Sequence, residues 1–323
     1  MGLGLFSSLI VGLILKQVGT YLGIELFVVF GSTAQYLMGP AIAAGVAYGI
    51  GAPPLAIFSV LVVGAVGAGT IKIGNPVTIA VGEPMGAAAA ALIGAQFGKM
   101  VQGRGKGNLD IMLIPIATIT SGGLAGIFLA PYVARLMNWL GGIINVATTM
   151  HPFMMGIIVS TVMGVVLTLP ISSAALAISL GLSGLAAGAS TVGCSCQMIG
   201  FAVMSYRENG IGGLISQGFG TSMIQMPNIV RNPWIWLPPT LASSILGPVS
   251  TILFGMENNS VGAGMGTSGL VGQVGTFAVM GNAAWPGVIA LHFVLPAMLS
   301  YVSAEMLRKR GLVGPTDMTL KVE

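Results

Sequence analysis

The sequence predicts an all-α polytopic membrane protein of about ten transmembrane helices, some of them re-entrant hairpins. Three observations carry that reading. Only 6% of the 323 residues are charged, against roughly 25% in a soluble domain, which is too few to dress a water-facing surface. Mean hydropathy is +0.94, and the apolar residues fall in stretches near the roughly 20-residue length of a bilayer crossing. Glycine is abundant, at 50 residues, and small residues let membrane helices pack closely.

The apolar stretches, in order, are 3–22, 26–50, 55–71, 109–130, 152–169, 171–190, 193–206, 234–254, 270–283 and 284–307. The first, MGLGLFSSLIVGLILKQVG, lacks a basic n-region and reads as a mature helix rather than a leader. Several others are short or interrupted by Gly and Pro and read as broken helices or re-entrant hairpins. Residues 213–236, GLISQGFGTSMIQMPNIVRNPWIW, are amphipathic and read as an interfacial connector, with Trp234 and Trp236 suited to an aromatic belt. No linker separates soluble domains, so the expectation is one membrane domain over 1–323.

Net charge is +4, with Lys99, Arg104 and Lys106 in one polar loop and Arg308, Lys309 and Arg310 after the last apolar stretch. The positive-inside rule makes loop 99–108 and the C-terminal tail cytoplasmic in a multi-pass cell-membrane protein. No basic face interleaved with aromatics suggests nucleic acid as a partner. No GxxxxGK[ST] loop points to an ATP-driven pump, and no HExxH or GxSxG pattern points to a hydrolase. Cys194 and Cys196, in GCSCQ, have no nearby His or second pair and form a poor metal pattern, so neither a metal nor a cofactor is expected.

Gly and Pro density peaks at 74–86, 181–193 and 255–275. Loop-like backbone in a hydrophobic protein belongs where protein buries it or a watery cavity receives it, and transporters use such breaks to meet substrate. Two of the eight acidic residues lie in this kind of sequence: Glu83 in GNPVTIAVGEPMG and Glu257 in GMENNSVGAGMG. Ionisable groups in apolar surroundings are costly and mark functional sites by default; the other reading puts each carboxylate at a loop tip in water. With Asn75, Asn258 and Asn259 they would suit a polyol, since carboxylates accept from hydroxyls and amides both donate and accept. A nucleobase or a small cation would fit the same set. His151 precedes Pro152 and is expected at a helix N-terminus, where its imidazole could meet a ligand. His292, mid-stretch in GVIALHFVLPAM, is expected to bond a neighbouring helix.

The whole resembles the membrane-embedded IIC component of the bacterial phosphoenolpyruvate-dependent sugar phosphotransferase system. It is most similar to the divergent branch of toxin-regulator (perfringolysin O regulator-like) members. The resemblance spans most of the chain, through the Glu83-Pro84 pair, HPFMMGIIVS and FGMENNSVGAGMGTSG. It implies an EIIC-like all-helical homodimer with a scaffold part and a substrate-carrying part that move past one another as rigid bodies. It also implies a Glu-Pro and a His that contact sugar, matched here by Glu83-Pro84 and His151-Pro152. No soluble IIA or IIB domain is expected within 1–323, so substrate phosphorylation would require separate cytoplasmic IIA and IIB proteins. The expected function is binding and translocation of a small polar solute, a sugar or sugar derivative. Two alternatives stay open: a membrane-embedded ligand sensor that regulates gene expression, and an ion-coupled transporter of a non-sugar solute.

Overall fold

A computed structural model describes residues 2–72, 76–104 and 109–320. The chain is 82% helical and divides into two compact units, Met1–Met137 and Asn138–Glu323.

In the first unit α1 (Gly2–Leu5) passes through a π-helical turn, Phe6–Ile10, into α2 (Val11–Leu22). Next come α3 (Glu25–Tyr36) and α4 (Met38–Gly49), bent by 54° at Leu37. The expected stretch 26–50 is therefore two helices. α5 (Pro54–Ala68) starts at a proline whose fixed φ suits the first helical position and stops at Gly69, which takes the left-handed cap at φ 66°. A small hairpin follows. β1 (Ile71–Lys72) pairs antiparallel with β2 (Thr78–Ile79), Ile71 opposite Ile79, and α6 (Pro84–Val101) leads away from it. Small side chains let these helices close on one another: Ala43, Ala47, Ala56, Val60, Val63, Ala90, Ala91 and Ala95 are all buried. Where α5 meets α6, Gly67 and Gly86 face each other so closely that a methyl on either would strike the other's carbonyl.

α7 (Asp110–Thr148) carries Pro115 and Pro131 and runs across the division between the units. The second unit continues with α8 (Pro152–Thr168), α9 (Ser173–Ser179), α10 (Gly184–Met204) and α11 (Tyr206–Ile215). A π turn (Ser216–Gly220), a 3-10 turn (Ser222–Gln225), α12 (Met226–Arg231) and α13 (Leu237–Pro248) follow, and α13 ends in the π turn Val249–Leu253. Then come α14 (Ser260–Ala263), α15 (Val271–Met280), α16 (Ala284–Gly287), the π segment Val288–Val294, and α17 (Leu295–Lys309). Residues 213–236, expected as an interfacial connector, are short helical pieces in which Gln217, Ser222, Gln225 and Ile235 are buried.

α10 is the axis of this unit. It packs against α8, α13 and α17, and 94% of its most apolar window is buried. Ser160 of α8 donates to the Ser243 carbonyl at 2.7 Å, and Ser243 donates to the Gly193 carbonyl at 3.2 Å, tying three helices together. Gln197, also buried, accepts from Thr168 at 3.1 Å and from Trp236 at 3.0 Å, and donates to Thr240 at 3.2 Å.

Among the described residues, four helical runs are long and apolar enough to cross a membrane: Leu3–Thr20, Asp110–Thr148, Gly184–Met204 and Ser268–Lys309; the bent pair α3–α4 makes a fifth if counted as one. That is fewer than the about ten crossings the apolar stretches suggest. Stretch 109–130 is part of one 39-residue helix. Stretches 270–283 and 284–307 join into one broken run, whereas α5 and α8 are shorter apolar helices of 15 and 17 residues. Residues 184–193, expected as loop-like, are helix instead. Their glycines serve close contact: Gly188 lies on the Met256 carbonyl and Gly193 on the Ser160 carbonyl, with no room for a methyl.

Gly193→Val should therefore lower the melting temperature of the detergent-solubilised protein. Overpacking typically costs about 1–3 kcal/mol; an unchanged melt would show that α8 and α10 do not rely on this contact.

Candidate functional site

In the first unit Glu83 ends the hairpin. Its N–H donates to the Ala68 carbonyl at 2.9 Å, and Gly82 before it sits at φ 81°, a backbone that a side chain would strain. Glu83 occupies the N-cap position of α6 ahead of Pro84, half-buried; its carbonyl accepts from the Ala87 N–H at 3.3 Å, and its side chain makes no capping bond. Thr70, buried beside Gly39 and Gly82, has a hydroxyl with no partner. Asn75 lies outside the described residues, as does the 105–108 part of the basic loop. Lys99, assigned to that loop by sequence, is in the last turn of α6 and donates to the Ile50 carbonyl at 2.6 Å.

In the second unit a cavity of about 450 Å³ is lined by the end of α7 (Asn145, Thr148), the start of α8 (Met150, Pro152, Met155), and the turn into α10 (residues 180–183 with Leu185 and Ala186). Two helices begin there: α8 starts at Pro152, which has no N–H, whereas the first N–H groups of α10 have no intrahelical acceptor. His151 caps α8 as the sequence suggests: it is exposed, and its Nδ1 accepts from the Phe153 N–H at 3.5 Å. That tautomer leaves Nε2–H as a donor. Ser183, at the N-cap of α10, makes no capping bond, and Gly181 and Gly184, both at positive φ, keep the backbone of the turn approachable.

Glu257, Asn258 and Asn259 approach this turn through their backbone. Asn258 pairs with Gly184 across an isolated bridge, its N–H donating to the Gly184 carbonyl at 3.2 Å. The Asn258 side chain is buried and donates to the Thr191 hydroxyl (2.7 Å), the Gly272 carbonyl (2.9 Å) and the Thr276 hydroxyl (3.1 Å). Asn259 caps α14, accepting from Val261 and Gly262 at 3.1 and 2.9 Å. Glu257 is exposed. The two amides thus fix the segment, and the carboxylate beside them is presented outward.

His292 is fully buried in the π segment, with Nδ1 3.0 Å from the Gln273 side-chain nitrogen, the cross-element bond its sequence context suggests. Cys194 and Cys196 are buried free thiols on different sides of α10. Cys194 points at the Met163 and Ala263 carbonyls, while Cys196 belongs to the cluster with Ala242, Leu246 and Leu291. Among the described residues no group of three or more metal-ligating side chains converges.

The model of the family described as "Phosphotransferase system, EIIC" matches residues 1–320. The chain belongs to that family. No curated protein and no solved structure matches it. It is therefore a phosphotransferase-type membrane transporter, and EIIC domains bind a solute and work with cytoplasmic IIA and IIB components. Sequence reasoning about this EIIC chain missed Asn145, Thr148 and Ser183, because single hydroxyls and amides at helix ends are common and nothing in their spacing marks them as converging.

The geometry separates neighbours that the sequence treats alike. Asn258→Ala leaves a buried cluster without its common donor and should destabilise by about 1–3 kcal/mol. Glu257→Gln, at an exposed position, should melt within about 0.5 kcal/mol of the parent. Thermal unfolding of both variants, ligand-free, checks this; equal losses would contradict it.

Proposed function

We propose that this EIIC chain binds a small neutral polar solute, a sugar or sugar derivative, in the second-unit cavity and carries it across the cell membrane. The observation that carries the reading is the lining. At about 450 Å³ the cavity falls within the roughly 300–1,000 Å³ of small-molecule sites. Its polar groups are an amide, two hydroxyls and the helix-start N–H donors of α10, and none of its lining residues is charged. Such a set matches hydroxyls, which donate and accept by turns, better than it matches an organic anion or a cation. His151 Nε2–H and the Glu257 carboxylate complete the site as directional partners at its rim, held there by Asn258 and Asn259.

The Glu83 hairpin is the second element of the proposal. A half-buried carboxylate between Gly82 and Pro84, beside an unpartnered buried threonine hydroxyl, supports a re-entrant segment that meets substrate during transport, as the family resemblance implies. On this reading Asn75 belongs to the same hairpin site. The protein works as a homodimer in the cell membrane, with loop 99–108 and the residues after α17 facing the cytoplasm.

The test is thermal stabilisation in detergent against a panel of sugars, sugar alcohols, nucleobases and organic anions. A ligand at 100 times its Kd stabilises by about 2.7 kcal/mol. A sugar or polyol should raise the melting temperature, and Asn145→Ala and Glu257→Gln should each weaken that shift. Glu83→Gln should abolish uptake. A sugar shift unaffected by all three substitutions would remove these residues from the site; a shift with nucleobases or anions alone would overturn the substrate class.

A further inference from the structure

Residues 311–320, after α17, do not project as a free basic arm. Met318 is fully buried and Val313 nearly so, in an apolar cluster with Phe201, Met204, Ile229, Ile235 and Leu307. Side-chain amides hold the backbone around them. Asn209 bonds the segment twice, donating to the Met318 carbonyl at 2.8 Å and accepting from the Leu320 N–H at 2.7 Å. Gln225 donates to the Met318 carbonyl at 3.0 Å, and Asn228 to the Thr319 carbonyl at 3.0 Å. Asn232 donates to the Leu312 carbonyl at 2.8 Å and to Asp317 at 2.6 Å. The segment is held as peptides are held in a groove: side-chain amides bond its main-chain groups, and an apolar cluster takes the Met318 and Val313 side chains.

The same amides reach into the protein. Gln225 also donates to Gln217 at 2.8 Å, and Gln217 donates to Ser205 at 2.8 Å. The turn that carries Gln217 offers two carbonyls to the Gly-rich segment: Thr267 donates to Gly218 at 2.5 Å, and Ser268 to Gly220 at 2.8 Å. Gly266, next to Thr267, lies directly on Cys194 of α10. A continuous path of hydrogen bonds and packing thus runs from Met318, through turn 216–225, to segment 255–270, which carries Glu257, Asn258 and Asn259.

We propose that residues 311–320 are an intramolecular latch: docked in the amide-lined groove, they hold turn 216–225 against the Gly-rich segment, and their release frees that segment from α10. The inference concerns conformation alone and stands whether or not the solute is a sugar. Arg308 supports it from α17, paired with Glu208 at 2.9 Å and Glu305 at 2.8 Å, which fixes the point where the latch begins.

The two native cysteines are reporters. Cys194 lies under the segment that the latch holds, and Cys196 faces the α13 side of α10. Maleimide modification rates are measured for each thiol in the Cys196→Ser and Cys194→Ser backgrounds, in full-length protein, in Met318→Asp, in the milder Met318→Ala, and in a chain ending at Gly311. Release is expected to raise the Cys194 rate about tenfold, the change set by a local opening shifted by about 1.4 kcal/mol. The Cys196 rate stays at its parent value, and Met318→Ala gives a smaller rise of the same pattern. An unchanged Cys194 rate in the chain ending at Gly311 would overturn the latch. So would a matched rise at both thiols in every variant, because that reports loss of the whole unit rather than of one segment.

Discussion

The second unit depends on how the irregular backbone of residues 255–270 is satisfied. Non-helical chain inside an apolar protein leaves carbonyls without partners, each costing on the order of 1–3 kcal/mol if buried unpaired. Hydroxyls supply the donors. Ser190 donates to the Ala263 carbonyl, Thr191 to Gly262, and Ser173 to Gly264, while Thr267 and Ser268 turn their own hydroxyls to the carbonyls of the 216–220 turn. Asn258 closes the set by binding Thr191 and Thr276 at once. α10 is small and hydroxyl-bearing along this face because it must both approach the segment closely and bond it.

The candidate cavity follows from that arrangement. With the 255–270 segment fixed, its pairing with Gly184 fixes the turn before α10, and the turn forms one wall of the cavity opposite the start of α8. A site framed by helix starts has donors that are covalently placed and need little reordering to meet a ligand. Glu257, next to Asn258 in that segment, is exposed, and its backbone N–H meets the soft sulfur of Met280 at 3.1 Å. An outward carboxylate avoids burying an unpaired charge.

The first unit solves the close-packing problem differently. Alanine and glycine bring α4, α5 and α6 together, and the β1–β2 hairpin lets the chain reverse at their ends while pairing its own backbone. Glu83 is placed by main-chain geometry, through the Ala68 bond and the positive φ of Gly82.

Composition alone determined the class of the protein, because 6% charge cannot solvate a surface, and local chemistry determined some ends of elements: Pro after His151 starts α8, and Gly69 stops α5. The resemblance carried by Glu83-Pro84 and His151-Pro152 also pointed to the family that the chain belongs to. Tertiary structure decided what glycine meant. At 255–270 it marks broken chain, yet at 184–193 it marks helix under close contact, and composition does not separate the two. It also decided which asparagines are structural and that Asn145, Thr148 and Ser183 share a cavity, since convergence is a property of how α7, α8 and α10 pack and leaves no period in the sequence.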